Sequence, residues 1–146
     1  MRITPQPVFL VIGCPGSGKT WICDQLKDLF FLVHHDLHIG MEGGLYAFHI
    51  NRAASRSHKP ILAEAPFSIS AIKDPLEKVG IRVIPVVIQE KDDVIKRRYL
   101  KREGRMIPQG HLTRQKTYAL RAKQWGAFIG TSEEVLEHLK KEAAKL

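Results

Sequence analysis

Cysteine is nearly absent from this chain: Cys14 and Cys23 are the only two among 146 residues. Their spacing matches no zinc pattern and no disulfide framework, which excludes a cystine-stapled fold and suits a reducing, cytoplasmic setting. Long hydrophobic runs are lacking too. The longest, Val8 to Ile12 and Val83 to Ile88, fall far short of the ~20 residues a membrane-spanning helix needs, so no membrane partner is expected. The opening residues Met1-Arg2-Ile3-Thr4-Pro5-Gln6-Pro7 lack the continuous apolar stretch of an export signal. Internal repeats, low-complexity tracts and a dividing linker are also missing, so one domain is expected over residues 1–146.

Acidic residues are the minority. Fifteen Asp and Glu stand against 23 Lys and Arg, a net charge of +8. Such a balance favours polyanionic partners, nucleic acid included. A merely solvated surface with a few cations reserved for nucleotide phosphates explains the same charge, so placement must decide.

Continuous apolar runs, each followed by a segment of helical period, indicate an α/β protein with a parallel sheet buried on both faces. Strands are expected at Val8 to Ile12, Phe31 to His34, Ile61 to Ala65, Ile81 to Ile88 and Gly126 to Ile129. Helices are expected from Lys19, with Ile22, Leu26, Leu29 and Phe30 as its apolar stripe, and over Leu45 to Ser57, Ala71 to Val79, Asp92 to Glu103 and Thr113 to Gln124. The last helix carries a capping box at Thr131 and Glu134, with Val135, Leu136, Leu139 and Ala143 as its buried face. Pro85 removes a ladder donor from the fourth strand, so its nitrogen should face an unpaired side or a bulge.

Gly13-Cys14-Pro15-Gly16-Ser17-Gly18-Lys19-Thr20 fits the pattern G-x-x-x-x-G-K-[ST] and lies between an apolar strand and an amphipathic helix, where its mechanism requires it. The glycines let backbone N–H groups surround phosphate oxygens, and the helix N-terminus adds partial positive charge. Lys19 then bridges the β and γ phosphates of ATP, and the Thr20 hydroxyl holds Mg²⁺. Cys14 occupies a variable position of the loop. The motif alone does not separate kinases from GTPases, ATPases or motors. Two absences narrow the choice: no N-K-x-D reads guanine, and no D-x-x-G follows a strand to sense a γ-phosphate.

With these residues the chain resembles the adenylate-kinase-like branch of small P-loop kinases, which includes polynucleotide, gluconate and shikimate kinase domains. The resemblance spans nearly the whole chain: the loop at Gly13 to Thr20, Asp36 after the second strand, the Arg-rich stretch Arg97 to Arg105, and Gly130-Thr131-Ser132 before the last helix. It implies a three-layer fold with strand order 2-3-1-4-5. It also implies that Asp36 orients or deprotonates an acceptor hydroxyl, that an Arg-rich lid at about residues 98–112 covers the triphosphate, and that Thr131 and Ser132 lie beside adenine.

Asp36 at the carboxyl edge of the sheet can accept a proton as transfer proceeds; an Asp capping a turn is the plainer alternative. Glu64 ends an apolar run in the manner of a Walker B strand, open to a Mg²⁺-bound water, an acceptor contact or a structural role. Phe67, with Pro66 and Ser68, is expected to shape the acceptor pocket. Arg98, Lys101, Arg102 and Arg105 share one helix face if the helix persists, with Arg98 and Arg102 foremost as stabilisers of transferring charge and a solvated charged face as the plainer alternative; Gly104 and Gly110 flank the segment as hinges. His34, His35 and His38 around Asp36 invite a metal reading, but they straddle a strand end and Mg²⁺ prefers oxygen ligands, so they are expected to line the acceptor site, His38 first, or to stack on a base. Arg52, Arg56 and His58, with Tyr46 and Phe48, form a basic and aromatic group suited to a nucleic-acid backbone or base, and an ordinary surface helix explains the same residues equally well. The expected activity is γ-phosphoryl transfer from ATP to a hydroxyl on DNA, RNA or a nucleotide. A metabolite kinase, a nucleic-acid-binding ATPase and a binding module without turnover are the alternatives.

Overall fold

The computed structural model describes residues 4–34, 43–65 and 69–146. Five parallel strands form one sheet in the order β2-β3-β1-β4-β5, as the resemblance implies. The strands are β1 (Val8–Ile12), β2 (Phe31–Val33), β3 (Ile61–Ala65), β4 (Val83–Ile88) and β5 (Phe128–Gly130). Among the described residues the helices are α1 (Lys19–Gln25), α2 (Gly43–Arg56), α3 (Ile69–Lys78), α4 (Asp92–Glu103), α5 (Gln109–Trp125) and α6 (Ser132–Ala144). None of them is long and apolar enough to cross a membrane.

Alternation along β1 divides the core. Val8, Leu10 and Ile12 face one layer with Tyr46, Ile50, Ile72, Leu76, Tyr118 and Ala122, from α2, α3 and α5. Phe9 and Val11 face the other with Ile22, Leu26, Val135 and Leu139, from α1, the turn after it, and α6. Phe9 meets Phe30 edge to face at 5.4 Å. Every residue of β1 and β3 is buried, which is why β1 reads as an unbroken apolar run and β3 as one interrupted only by Glu64.

Several boundaries differ from those expected, each for a local reason. Helix α1 closes at Leu26, whose N–H bonds Cys23 O, so Leu29 turns to solvent while Phe30 stays buried. Strand β4 starts at Val83 because Gly80, at φ 84°, ends α3 in a Schellman motif: Ile81 N–H donates to Leu76 O and Gly80 N–H to Glu77 O. The same device delays β5 to Phe128, with Ala127 N–H on Ala122 O and Gly126 N–H on Lys123 O. Helix α5 begins at Gln109, so Gly110 belongs to its first turn and is no loop hinge.

Pro85 sits opposite Leu10 on β1. Arg82 O accepts from Val8 on β1 and Gln89 N–H donates to Gly130 on β5, so the odd-numbered nitrogens of β4 face β5. Pro85 therefore points its ring nitrogen to the β5 side one residue before pairing there begins, at Val86 with Phe128.

Candidate functional site

The carboxyl end of central β1 runs into the loop Gly13 to Gly18. Gly16 and Gly18 take φ of 86° and 106°, left-handed values that disfavour side chains. Space is tight as well. A Cβ at Gly16 would lie 3.1 Å from Ile95 O of α4, and one at Gly18 would lie 3.0 Å from Ser132 Cβ and 3.5 Å from an Arg98 nitrogen. A Cβ at Gly13 would collide with Ser17 Oγ, which is fully buried and without a hydrogen-bond partner among the described residues. Helix α1 starts at Lys19 with Gly18 as its N-cap and no side-chain cap. Bare backbone, the orphaned Ser17 hydroxyl and a helix N-terminus fit a phosphate chain.

Arg98 and Arg102 join this loop. Arg98 donates to Ser17 O at 3.1 Å, tying α4 to the loop backbone. Arg102 lies over the Tyr99 ring at 5.7 Å and bonds Glu103 at 3.0 Å. A cleft of about 200 Å³ is lined by Cys14, Pro15, Gly16, Gly18, Lys19, Thr20, Trp21, Arg98 and Arg102. The structure thus gathers most of the nucleotide residues expected from sequence. Arg105 does not share their face, because Gly104, at φ 70°, ends α4 at Glu103. Cys14 is buried in the loop, and burial pushes its thiol up against the opposing pull of Lys19, leaving it a poor nucleophile.

A second cleft, of about 360 Å³, shares Gly18, Trp21 and Arg98 with the first and adds Ser132 and Glu133. Ser132 is buried there. Thr131 is committed to capping α6: its side chain accepts from Glu134 N–H at 3.3 Å, and its N–H donates to Glu134 Oε1 at 3.0 Å. That bonding, from the Thr131 backbone first and its hydroxyl second, holds the Glu134 carboxyl below its ordinary value.

Four residues of this region were not singled out from sequence. Trp21, 44% exposed, forms a wall common to both clefts. Glu90, at the end of β4, accepts from Ser132 N–H at 2.9 Å and Ser132 Oγ at 2.8 Å, and its Oε1 lies 3.7 Å from Arg98. Gln115 of α5 holds the Glu90 backbone from both sides, accepting from its N–H at 3.2 Å and donating to its carbonyl at 2.9 Å. His111, at the start of α5, is held below its ordinary pKa by burial, then by Arg114, Arg105 and Lys19. Trp21 had a signal, an aromatic directly after the motif. Glu90 and Gln115 had none, because they act on groups 42 and 25 residues away.

On the other side of the sheet end, Glu64 of β3 is buried, with Oε1 3.6 Å from His34 Nδ1 and 4.0 Å from Cys23 Sγ. Burial, reinforced by the Glu64 and Asp24 carboxylates, pushes the Cys23 thiol up to about 12. Tyr46 is no part of a surface aromatic group. It is buried, and its hydroxyl donates to Glu64 O at 2.7 Å with Val33 O at 3.3 Å, tying α2 to β3 and β2. Arg52 and Arg56 do line a cleft, of about 420 Å³, with Phe31, His34 and His49 among its walls; His58 is not among them. Phe48 is exposed beside His49, at 6.0 Å. Asp36, His38 and Phe67 lie outside the described residues, as do His35, Pro66 and Ser68.

No family model matches the chain, and no curated protein matches it by sequence. Solved structures do match in fold. A gluconokinase from Sinorhizobium meliloti 1021 is similar at 16% identity and TM-score 0.62, over 97% of this chain and 95% of that one. A tunicamycin resistance protein from Deinococcus radiodurans is similar at 18% identity and TM-score 0.69, over 94% and 95%. A de novo designed P-loop fold protein is similar at 15% identity and TM-score 0.51, over 96% and 92%. The chain has a small P-loop kinase-like fold.

Proposed function

We propose that this chain is an ATP-dependent kinase that passes the γ-phosphoryl group to a hydroxyl of nucleic acid or a nucleotide. The observation that carries the reading is Arg98, fixed by Ser17 O within the cleft that holds Lys19, Thr20 and Arg102. Three cationic side chains and a stretch of bare backbone line one small cleft, a lining suited to a polyphosphate.

The glycine loop binds the phosphates through N–H groups, Lys19 neutralises the β and γ oxygens, and Trp21 with Ser132 and Glu133 walls the space for the base. The Thr20 hydroxyl would hold Mg²⁺, which supplies Lewis-acid neutralisation of the phosphate oxygens when bound. Arg98 and Arg102 stabilise charge spreading over the equatorial oxygens as the bond to the leaving phosphate loosens. Asp36 accepts the proton of the attacking hydroxyl. The cleft of Phe31, His34, His49, Arg52 and Arg56 supports a nucleic-acid acceptor, because it pairs an exposed aromatic ring with two guanidinium groups along β2.

The test is a screen with γ-labelled ATP across 5′-hydroxyl DNA and RNA, nucleosides and sugars. Label on an oligonucleotide or nucleotide hydroxyl supports the reading. Label confined to a sugar moves the acceptor to the metabolite class, and label recovered only as free phosphate refutes the kinase.

A further inference from the structure

We propose that Cys23, His34 and Glu64 form a zinc site beside the nucleotide cradle. The three residues come from α1, β2's end and β3, and their ligand atoms all lie within 4.8 Å of one another. The neighbouring pairs are already near coordination geometry. Around tetrahedral Zn²⁺, with bonds of about 2.0–2.3 Å, ligand atoms stand about 3.4–3.6 Å apart; His34 Nδ1 to Glu64 Oε1 is 3.6 Å and Cys23 Sγ to Glu64 Oε1 is 4.0 Å. Closing the set requires small rotations, and His34, the most exposed member at 30%, is free to make them.

Donor chemistry selects the metal. One sulfur, one imidazole nitrogen and one carboxylate suit Zn²⁺ and are wrong for Mg²⁺, which demands oxygen. Binding displaces the Cys23 proton to solvent, so the dication meets one thiolate and one carboxylate and the buried centre is neutral. Water completes the fourth position. Sequence spacing conceals the set, since Cys23 and Glu64 are 41 residues apart.

Because Glu64 becomes a zinc ligand, loading withdraws its carboxylate from any role in phosphoryl transfer. This consequence, unlike the site itself, rests on the kinase reading.

The reduced 146-residue chain, without nucleotide or Mg²⁺, is titrated with Co²⁺ as a spectroscopic substitute and then with Zn²⁺. One equivalent should bind, with a thiolate-to-cobalt charge-transfer band and the visible bands of a four-coordinate ion, both abolished by Zn²⁺. Cys23→Ala should remove the charge-transfer band and weaken Zn²⁺ binding by at least about 100-fold; His34→Gln, at a half-exposed position that tolerates exchange, should weaken it at least about 10-fold. No band in the folded wild type, or a band that survives Cys23→Ala and vanishes with Cys14→Ala, overturns the site. In the labelled-ATP assay, Zn²⁺ should slow transfer by the wild type and not by Cys23→Ala; equal slowing of both overturns the inhibitory consequence. Absence of transfer under all conditions refutes the kinase reading and leaves the Co²⁺ result to judge the site.

Discussion

Replacing Glu90 by Ala should be among the most damaging single changes outside the hydrophobic core. The carboxylate is 9% exposed and receives two hydrogen bonds from Ser132, at 2.9 and 2.8 Å. Hydrogen bonds to a charged group are worth about 1.5–3 kcal/mol each. The carboxylate also sits at the N-terminus of α6, worth about 0.3–1 kcal/mol, whereas Arg98 at 3.7 Å is 41% exposed and adds little. Truncation removes the acceptor and leaves the Ser132 donors facing a void, so a loss of about 3–5 kcal/mol is expected. Glu90→Gln keeps an acceptor oxygen without the charge and should lose about 1–2 kcal/mol. Urea unfolding reads both. With an m-value near 2 kcal/mol/M, the Ala variant's midpoint should fall by roughly 1.5–2.5 M at unchanged slope. An Ala variant within about 1 kcal/mol of wild type, or a Gln variant as damaged as Ala, would refute the claim that this carboxylate holds α6 to the end of β4.

Asp36→Asn should keep ATP affinity while slowing transfer by about 10² or more, measured with labelled ATP at saturating acceptor; an unchanged rate removes Asp36 from the mechanism. For Gly18→Ala, the left-handed φ of 106° and the 3.0 Å approach to Ser132 Cβ should cost about 1–2 kcal/mol in urea and weaken nucleotide binding at least about 10-fold by calorimetry. Arg102→Ala should reduce kcat more than ATP affinity, and equal losses in both would make it a surface cation. His138 stacks on Phe128 at 4.0 Å, and burial holds its pKa below the ordinary 6.5. The unfolded chain therefore takes up that proton first, and stability falls as pH drops below 6.5. His138→Phe, which keeps the stack and removes the proton, should flatten that decline in pH-dependent urea melts.

The sheet was legible because strands buried on both faces are continuous apolar runs, and Val8 to Ile12 and Ile61 to Ala65 match their expected limits residue for residue. Where strands were read too early, at Ile81 and at Gly126, the apolar residues were real. They finish the preceding helices, and Ile81 packs in the same layer as Leu76, the residue whose carbonyl it bonds. Patterning reports burial, and it does not say which element a buried residue closes. The phosphate cradle was legible for the opposite reason: its chemistry is contained in eight consecutive residues. Tyr46 was misread as a surface aromatic because its helix carries exposed Arg52 and Arg56 about two and three turns on, and only the packed structure turns its hydroxyl inward to Glu64 O. Glu90, Gln115 and the Cys23–His34–Glu64 cluster exist only once distant segments are brought together.

Pro85 has a bearing on life in a crowded solution. Lacking an N–H on its outer side, it denies β5 a bond that would lengthen that strand toward its start, and β5 stops at three residues. The opposite border, β2, is also three residues long. The longest ladders, five residues each between β1 and its two neighbours, are sealed in the middle of the sheet. A short rim offers few open backbone groups to a second chain, so the strands most apt to seed edge-to-edge aggregation are the ones kept from the border.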